Sequence, residues 1–394
     1  MIVNYVFEAS LKGSLGIFEK NVRNAKALIK QAGGGNIIAI LNHDLTDENK
    51  NRLKKLGITF HLIPRYKRLY KICNRTILWR LLPYINRIER ANVYKTIFRE
   101  IKQGLTYIRY SSADKFLLNA YNQLKTPCFF EINGMIFSEL ITGYGNDNSY
   151  FGKFNQVNEY KFLPQLLSKA NGIFCITNEI ATFVSNYNLN TCVIGNSAEE
   201  VIYGVANREK KIIKFLFLIG ADTYWQGINR LAISLKYLSE EQLDTFKVTI
   251  VGPKKLKNKY AKQFPKNVYF TEANTNIDLE LLLQNHHVGI TTLELYKKEM
   301  MEAAPLKTRD YLRAGMPIIL GYNDTDVSGL DELIPFVYKV ENNETILPFE
   351  EILKWARKIN YESAEEIVKR QVTKYLNVEV KAKKIYQFLR KNAS

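Results

Sequence analysis

The chain has 394 residues, of which 46% are hydrophobic and 24% are charged, and its formal net charge at pH 7 is +17. This length predicts two domains of about 150–200 residues each. The sequence contains no run of about 18 apolar residues and no secretory signal, so we expect a cytoplasmic protein. The four cysteines are widely spaced and form no CxxC pair, which favours reduced thiols over a zinc site or a disulfide framework.

The first half of the chain alternates predicted strands with predicted helices, a pattern typical of a parallel, doubly wound sheet. The strands are predicted at 1–8, 36–41, 58–63, 105–109, 127–132, 172–177 and 192–194. The helices are predicted at 18–32, 47–56, 113–124 and 160–169. After the first strand, Gly13 and Gly16 would let the backbone approach a ligand closely, but an ordinary strand-to-helix turn explains them nearly as well.

A basic segment covers residues 65–102 and contains eleven Lys or Arg residues against two Glu. Its cations alternate with apolar and aromatic side chains, so helices within it would have one apolar and one basic face. Such a surface suits the headgroup region of an anionic membrane, at about 1 kcal/mol per cation. The alternative is an ordinary core with solvated Lys and Arg. We expect no nucleic-acid partner, because no RNP, zinc-finger or KH motif accompanies the charge.

The second half repeats the alternation and predicts a second doubly wound sheet, joined to the first near residues 198–210. Its strands are predicted at 212–219, 246–251, 268–271, 287–293 and 316–320. Its helices are predicted at 227–238, 277–284, 307–314 and, mostly helical in pattern, 364–391.

The most informative segment is 286–320, which reads as strand, loop, helix and strand. Pro305 suits the first turn of the helix, where its missing N–H costs nothing. The unpaired N–H groups near residues 305–308 would point out of the carboxyl edge of the sheet, where a diphosphate is held by hydrogen bonds and the helix dipole. Two carboxylates, Glu302 and Asp310, flank this point.

This segment resembles the Glu-x7-Glu motif of GT-B glycosyltransferases, specifically the retaining family 4 type, with Asp310 in place of the second Glu. The resemblance implies that Glu302 binds hydroxyls of the donor sugar in catalysis and that Asp310 binds the ribose. Ionised carboxylates suit vicinal diols because they accept several hydrogen bonds. The remaining donor-binding residues implied by the motif are Pro305, Leu306, Lys307 and Thr308.

The resemblance also implies the architecture: two Rossmann-like domains that face an interdomain cleft. We place the acceptor-side domain at residues 1–197 and the nucleotide-sugar domain at 198–370. A terminal helix at 371–394 would cross back to the first domain.

A further donor loop, residues 220–227, resembles the family loop that holds the donor diphosphate. Gly220 and Gln226 are its predicted binding residues, although Gln226 occupies a position where the family often has Lys. The missing positive charge must then come from elsewhere. We expect Lys307 to supply it, with Arg309 or backbone N–H groups as alternatives.

The acceptor side is implied by the segment around Glu131, which resembles the family's acceptor loop. Glu131 and Asn133 would orient the attacking hydroxyl, so Glu131 is the second catalytic candidate. Glu139 would reach the cleft, and Gly16 and Arg109 complete the predicted acceptor-binding set. Each of these residues has a simple structural explanation as well.

No metal cofactor is expected. The four histidines form no HExxH arrangement, and no DxD-like motif occurs. The resemblance implies that a helix dipole and cationic side chains stabilise the leaving diphosphate instead of a metal.

The sequence therefore predicts a glycosyltransferase that moves a hexose-type sugar from a nucleotide diphosphate sugar to a saccharide or lipid-linked saccharide, with retention. Surface polysaccharide or glycoconjugate synthesis at the inner face of the plasma membrane is the expected setting. One alternative is a catalytically inactive GT-B protein that binds sugar or acts as a scaffold. The other is a sugar-nucleotide epimerase.

Overall fold

The computed structural model describes residues 1–11, 15–41, 45–64, 81–135, 150–202, 211–273 and 275–393. The chain divides into two compact units. The N unit comprises Met1–Ile194 and Ala382–Ser394, and the C unit comprises Gly195–Lys381.

The N unit contains a seven-stranded parallel sheet with the strand order β3-β2-β1-β4-β5-β6-β7. Its strands are β1 (Val3–Ala9), β2 (Gly35–Leu41), β3 (Ile58–Leu62), β4 (Leu105–Arg109), β5 (Cys128–Ile132), β6 (Gly172–Cys175) and β7 (Thr191–Val193). Its helices are α1 (Leu15–Ala32), α2 (Asp47–Lys55), α3 (Leu82–Glu100), α4 (Lys115–Tyr121), α5 (Tyr150–Leu167) and α6 (Asn178–Ser185). The order reverses between β1 and β4, and doubly wound sheets bind ligands at the carboxyl edge of such a switch point.

Both faces of the N-unit sheet are buried, so neighbouring residues of one strand enter different cores. Tyr5 and Phe7 of β1 lie in the core that contains Phe18 of α1. Val6, between them, lies in the opposite core with Phe98 of α3. This two-sided burial explains why the strands are almost continuously apolar in sequence.

The C unit contains a six-stranded parallel sheet with the order β10-β9-β8-β11-β13-β15 and a short parallel pair, β12-β14. Its strands are β8 (Ile213–Leu218), β9 (Phe246–Val251), β10 (Val268–Thr271), β11 (Val288–Ile290), β12 (Glu302–Ala303), β13 (Ile318–Leu320), β14 (Asn323–Asp324) and β15 (Val337–Lys339). Its helices are α7 (Ile228–Leu235), α8 (Glu240–Leu243), α9 (Lys254–Tyr260), α10 (Asn276–Asn285), α11 (Leu306–Arg313), α12 (Phe349–Lys358) and α13 (Tyr361–Gln371). Short 3-10 helices lie at Tyr224–Gln226, Ala261–Gln263, Leu295–Lys298, Val327–Gly329 and Asp331–Phe336, and a π-helical turn at Val372–Leu376.

The last helix, α14 (Val378–Lys391), ends within the N unit. Leu389 is fully buried in the N-unit core that contains Tyr5. The Phe388 ring packs edge-on against Phe174 of β6, with ring centroids 4.9 Å apart.

The predicted fold class, two parallel α/β sheets, is confirmed. Several boundaries differ from the prediction: α5 begins at Tyr150 instead of 160, and α4 is shorter than 113–124. The β12-β14 pair was not predicted, because strands of two residues show no alternating pattern. These two strands nevertheless hold the candidate residue Glu302.

Candidate functional site

The C-unit sheet has its switch point between β8 and β11, where the strand order reverses. The loops after these strands are joined there, since the Leu293 N–H donates to the Gln226 carbonyl at 3.1 Å. Gly227 has a φ of 86°, and a Cβ at this position would lie 2.6 Å from the Leu293 Cβ. Gly220, by contrast, is exposed, and nothing lies within 4 Å of a Cβ built on it. The predicted donor loop is therefore at the carboxyl edge of the sheet, beside the switch point.

Lys307, in the first turn of α11, reaches this loop. Its Nζ donates to Gln226 Oε1 at 2.6 Å and lies 5.1 Å from the centroid of the Phe217 ring. Burial lowers the pKa of Lys307 to about 7. Among the residues that the structure describes, its ammonium forms no ion pair with a carboxylate. Gln226 therefore positions the lysine without adding a negative charge beside it, and a bound anion would favour the ammonium form.

The start of α11 has the properties predicted for a phosphate-facing helix. Pro305 lies immediately before Leu306, the first helical residue, and no side chain caps this end. The first N–H groups of a helix have no partner within the helix and attract negative charge. The Thr308 side chain takes a different role, because its hydroxyl is fully buried and shares a 2.6 Å hydrogen bond with Tyr322.

Tyr311 fixes α11 against the sheet. Its hydroxyl accepts a hydrogen bond from the Leu218 N–H at 2.8 Å and donates to the Ile290 carbonyl at 3.0 Å. Its ring covers Gly289, where an added Cβ would lie 2.3 Å from the ring. The glycine on β11 thus lets the helix approach closely, and the tyrosine holds the helix start at the edge between β8 and β11.

Glu302 lies on β12 and is half-buried. Its strand pairs with β14, which contains the fully buried Asp324. The Asp324 carboxylate accepts hydrogen bonds from both terminal nitrogens of Arg309, at 2.8 and 3.0 Å. Arg309 also contacts Asp326 at 2.7 Å, and these carboxylates raise its pKa. Arg309 is therefore a structural cation that anchors the strand pair carrying Glu302. Of the two side chains considered for the diphosphate, Lys307 is the one without a carboxylate partner in the described part of the chain.

Asp310, the predicted ribose-binding residue, contacts its own helix. Its Oδ1 accepts a hydrogen bond from Arg313 Nε at 3.2 Å, and 24% of its side chain is exposed. Arg313 also lies 3.6 Å from Glu199 and 3.5 Å from Glu280. Arg313 can thus orient the Asp310 carboxylate, and the partly exposed side chain retains acceptor capacity for a ligand.

In the N unit, Glu131 lies at the carboxyl end of β5 and is only 6% exposed. Its Oε2 accepts from the hydroxyls of Tyr5, at 3.2 Å, and Tyr107, at 2.9 Å. Its Oε1 accepts from Lys20 Nζ, at 3.3 Å, and from Asn133 Nδ2, at 2.7 Å. Both carboxylate oxygens are thus fully engaged by the protein.

Burial tends to raise the pKa of Glu131, but Lys20, Arg109 and the hydrogen bonds outweigh it and lower the pKa to about 2. A carboxylate with so low a pKa and four hydrogen-bond donors is a poor general base at neutral pH. The geometry therefore favours Glu131 as a residue that positions its neighbours, in place of the predicted direct contact with the attacking hydroxyl.

The other predicted acceptor residues lie near this carboxylate or outside the described part of the chain. Arg109 ends β4 and is paired in register with Glu131. Gly16 is exposed in the first turn of α1, and a Cβ there would meet nothing within 4 Å. Gly13 and Glu139 lie outside the described residues.

Sequence reasoning missed Tyr5, Lys20 and Tyr107. One sequence signal pointed to a buried polar cluster in this region. Asn21 falls three positions after Phe18 on the otherwise apolar stripe of α1, and both side chains are buried.

The basic segment is described from residue 81 onward; residues 65–80 lie outside the described part. Arg87 pairs with Asp114 at 2.6 Å, and Arg90 pairs with Glu8 at 2.6 Å. Both arginines are largely buried, so these two cations fit neither the predicted basic face nor the alternative of solvated side chains. Their partners are distant in sequence and could not be recognised from it.

Within the described ranges, no cluster of three or more His, Cys, Asp or Glu side chains is placed to hold a metal ion. The helices in those ranges also lack the combination of length and hydropathy that crossing a membrane requires.

No family model matches the chain, and no curated protein matches it in sequence. Solved structures do match. A glycosyltransferase from Rickettsia africae ESF-5 superposes with a TM-score of 0.61 at 13% identity, over 99% of this chain and 98% of that one. Anabaena HepE, in complex with UDP and glucose, has a TM-score of 0.60 at 12% identity, over 98% and 99% of the two chains. This chain has the GT-B fold.

The GT-B fold is shared by enzymes of more than one activity. The UDP-GlcNAc 2-epimerase from Neisseria meningitidis, bound to UDP-GlcNAc, matches with a TM-score of 0.53 at 12% identity, over 99% of this chain and 100% of that one. Function must therefore be argued from the site.

Proposed function

We propose that this protein is a glycosyltransferase of the retaining, family 4-like type, which moves a hexose-type sugar from a nucleotide diphosphate sugar to a saccharide or lipid-linked saccharide. The observation that carries the proposal is Lys307. It is a half-buried cation without a carboxylate partner among the described residues, at the uncapped start of α11 on the carboxyl edge of the C-unit sheet. Anabaena HepE, which shares the fold, binds UDP and glucose.

The chemistry follows from this placement. As the bond between the anomeric carbon and the phosphate oxygen breaks, negative charge grows on the leaving diphosphate. Lys307 and the N–H groups at the start of α11 stabilise that charge. Glu302 accepts hydrogen bonds from the sugar hydroxyls, and Asp310 accepts them from the ribose. No metal is required for these steps.

The acceptor binds at the carboxyl edge of the N-unit sheet, near Asn133 and Arg109. Its hydroxyl attacks the anomeric carbon from the face that the diphosphate leaves, and a diphosphate oxygen takes the hydroxyl proton. The products are a nucleoside diphosphate and a glycoside of unchanged anomeric configuration. This route needs no strong protein base, in agreement with the low pKa of Glu131.

We also propose that the protein works as a peripheral protein on the cytoplasmic face of a membrane, in surface polysaccharide or glycoconjugate synthesis. The support is an exposed apolar surface on the N unit, the α3–α5 patch, made of Leu81, Tyr84, Ile88, Val157 and Tyr160. Leu81, Tyr84 and Ile88 follow helical spacing, so they share one face of α3. The two helices are joined by the Tyr84 and Phe154 rings, whose centroids are 4.4 Å apart.

The test is to incubate the protein with UDP-, GDP- and ADP-sugars, with and without saccharide or lipid-linked acceptors. Nucleoside diphosphate released only with an acceptor supports transfer. A free epimer would support the epimerase alternative, and tight binding without turnover would support a scaffold.

Glu302→Gln should lower the transfer rate on the order of 10²-fold, because the ionised carboxylate acts on the sugar as it reacts. Nucleotide affinity should stay near that of the wild type. Glu299→Gln, an exposed carboxylate three residues earlier, is the matched control and should transfer normally. Wild-type activity in the Glu302 variant would show that its proposed role is wrong.

A further inference from the structure

The N unit contains a buried polar network that the proposed chemistry does not use directly. Its members are Tyr5, Lys20, Asn21, Tyr107, Glu131 and Asn133, and we call it the Glu131 network. It joins α1 to three strands, β1, β4 and β5, across the switch point of the sheet. The side chain of Lys20 is only 3% exposed, which is unusual for a lysine and requires compensating contacts.

Lys20 closes a ring of three side chains. Its Nζ donates to Glu131 Oε1 at 3.3 Å and to Asn133 Oδ1 at 3.1 Å. Asn133 Nδ2 donates back to Glu131 Oε1 at 2.7 Å. The ammonium and the carboxylate together fix which way the Asn133 amide points. Among the described residues only Glu131 accepts a hydrogen bond from that amide, which leaves its second N–H for a hydroxyl of the sugar acceptor.

The same network reaches the first turn of α1. The Tyr5 hydroxyl donates to Glu131 and lies 3.3 Å from Asn21 Oδ1. Asn21 Nδ2 donates to the Ile17 carbonyl at 2.7 Å, in the turn that contains Gly16. The Tyr5 and Tyr107 rings are stacked with centroids 4.8 Å apart, and both of their hydroxyls donate to the Glu131 carboxylate. Asn133 and the first turn of α1 are thus both connected by side-chain contacts to one buried ion pair.

We propose that Lys20 is a positioning residue of the acceptor site: its ammonium, paired with Glu131, holds the Asn133 amide and the first turn of α1 in the arrangement that receives the acceptor. This inference rests on the proposed transferase function. It adds a residue to that site that neither the sequence motif nor the fold resemblance indicated.

The charge state of Lys20 gives the network a measurable pH dependence. Burial lowers the pKa of Lys20 to about 8, although Glu131 opposes this; Arg109 on β4 and Arg23 on α1 lower it further. The neutral hydroxyls of Tyr5 and Tyr107 face the same carboxylate. Above about pH 8 the ammonium loses its proton, so the ring of three side chains loses the charge that orders it.

The first measurement is hydrogen–deuterium exchange of the full chain. Lys20→Met should raise amide exchange in peptides that cover 15–22 and 129–135, and leave the C unit unchanged. Lys26→Met, an exposed lysine on the same helix, is the matched control and should match the wild type. Lys20→Arg, which keeps the charge, should restore part of the protection. Equal exchange in Lys20→Met and Lys26→Met would overturn the inference.

The second measurement is the kinetics of transfer. Lys20→Met should lower kcat/KM for the acceptor by about 10²-fold, the scale of a misplaced binding group, without changing the Kd for the nucleoside diphosphate. Glu131→Gln removes the charge that sustains the ammonium, so the alkaline decline of activity should move to lower pH. An unchanged kcat/KM for the acceptor in the first variant, or an unmoved pH profile in the second, would contradict a positioning role.

The two failures are distinguishable. If the wild type binds no sugar nucleotide and transfers no sugar, the proposed function fails, and the exchange experiment still decides whether Lys20 orders these segments. If Lys20→Met does not fold, the pH profile of Glu131→Gln decides whether Lys20 has a positioning role. If the protein transfers sugar, but neither amide exchange in Lys20→Met nor the pH profile of Glu131→Gln differs from the wild type, the proposed function stands and the positioning role of Lys20 is wrong.

Discussion

At the scale of single residues, the sequence predicted a donor-site role for Lys307 but not the contacts that decide which of the nearby cations is paired with carboxylates. Lys307 was expected to replace a missing cation, and the structure places it on Gln226. The sequence could not show that Arg309 is fully engaged by Asp324 and Asp326, because that pairing depends on the two-residue strand β14. Lys307 and Arg309 are two positions apart in sequence, yet only Lys307 is left without a carboxylate partner among the described side chains.

Gly220 provides a prediction at this scale. Gly220→Ala should leave the Tm unchanged, because the new methyl group meets open space. It should raise the Kd for a nucleoside diphosphate roughly tenfold, or about 1.4 kcal/mol, because the methyl group occupies the open space through which the diphosphate approaches the backbone N–H groups.

A thermal-shift assay measures the Tm, and calorimetry measures the Kd for the nucleoside diphosphate. The matched control is Gly329→Ala, another exposed glycine with open space around it. Unchanged nucleotide affinity in Gly220→Ala would place the diphosphate elsewhere.

At the scale of elements, periodicity located most strands and helices, since the central strands of both sheets are buried and mostly apolar. The short elements could not be found in this way. The β12-β14 pair and the first ten residues of α5 lack a clear pattern, and the contacts of Arg87 and Arg90 join segments far apart in the chain. Helix boundaries and long-range ion pairs of the N unit were therefore beyond prediction from sequence.

The buried ion pair between Arg309 and Asp324 of β14 leads to a prediction about stability. Arg309→Met should lower the free energy of unfolding by about 3–5 kcal/mol, because it leaves the buried Asp324 without its partner. Denaturant unfolding measures the change.

Two variants control this experiment. Arg370→Met removes an exposed pair with Glu332 and should leave the free energy of unfolding nearly unchanged. Adding Asp324→Asn to Arg309→Met should recover part of the loss, since the uncompensated charge is then removed. A small effect of Arg309→Met alone would mean that β12 and Glu302 are held by other contacts.

At the scale of the whole molecule, the charge of +17 and the α3–α5 patch together predict binding to anionic vesicles. The double variant Tyr84→Ser/Ile88→Ser should sediment less with such vesicles, because both side chains are exposed and apolar. Binding of the wild type should weaken as salt is added. Arg87 and Arg90 are unsuitable for this test, since their ion pairs stabilise the N unit.

Ile233→Ser/Tyr237→Ser, which alters two exposed apolar residues of the C unit, is the matched control and should sediment like the wild type. Equal sedimentation of Tyr84→Ser/Ile88→Ser and this control would show that the α3–α5 patch does not contact the membrane.

The proposed function requires that the C unit binds a nucleoside diphosphate through Lys307, and proton uptake on binding reports that contact. The pKa of Lys307 is about 7 without ligand, and a bound diphosphate must raise it. Nucleoside diphosphates, with UDP first, would be titrated calorimetrically at about pH 8, where most free protein has the neutral amine. Repeating the titration in buffers of different ionisation enthalpy gives the number of protons taken up.

We expect uptake of close to one proton, an affinity that falls as the pH rises above about 7, and no uptake in Lys307→Met. Binding without proton uptake, or the same uptake in Lys307→Met, would contradict the account.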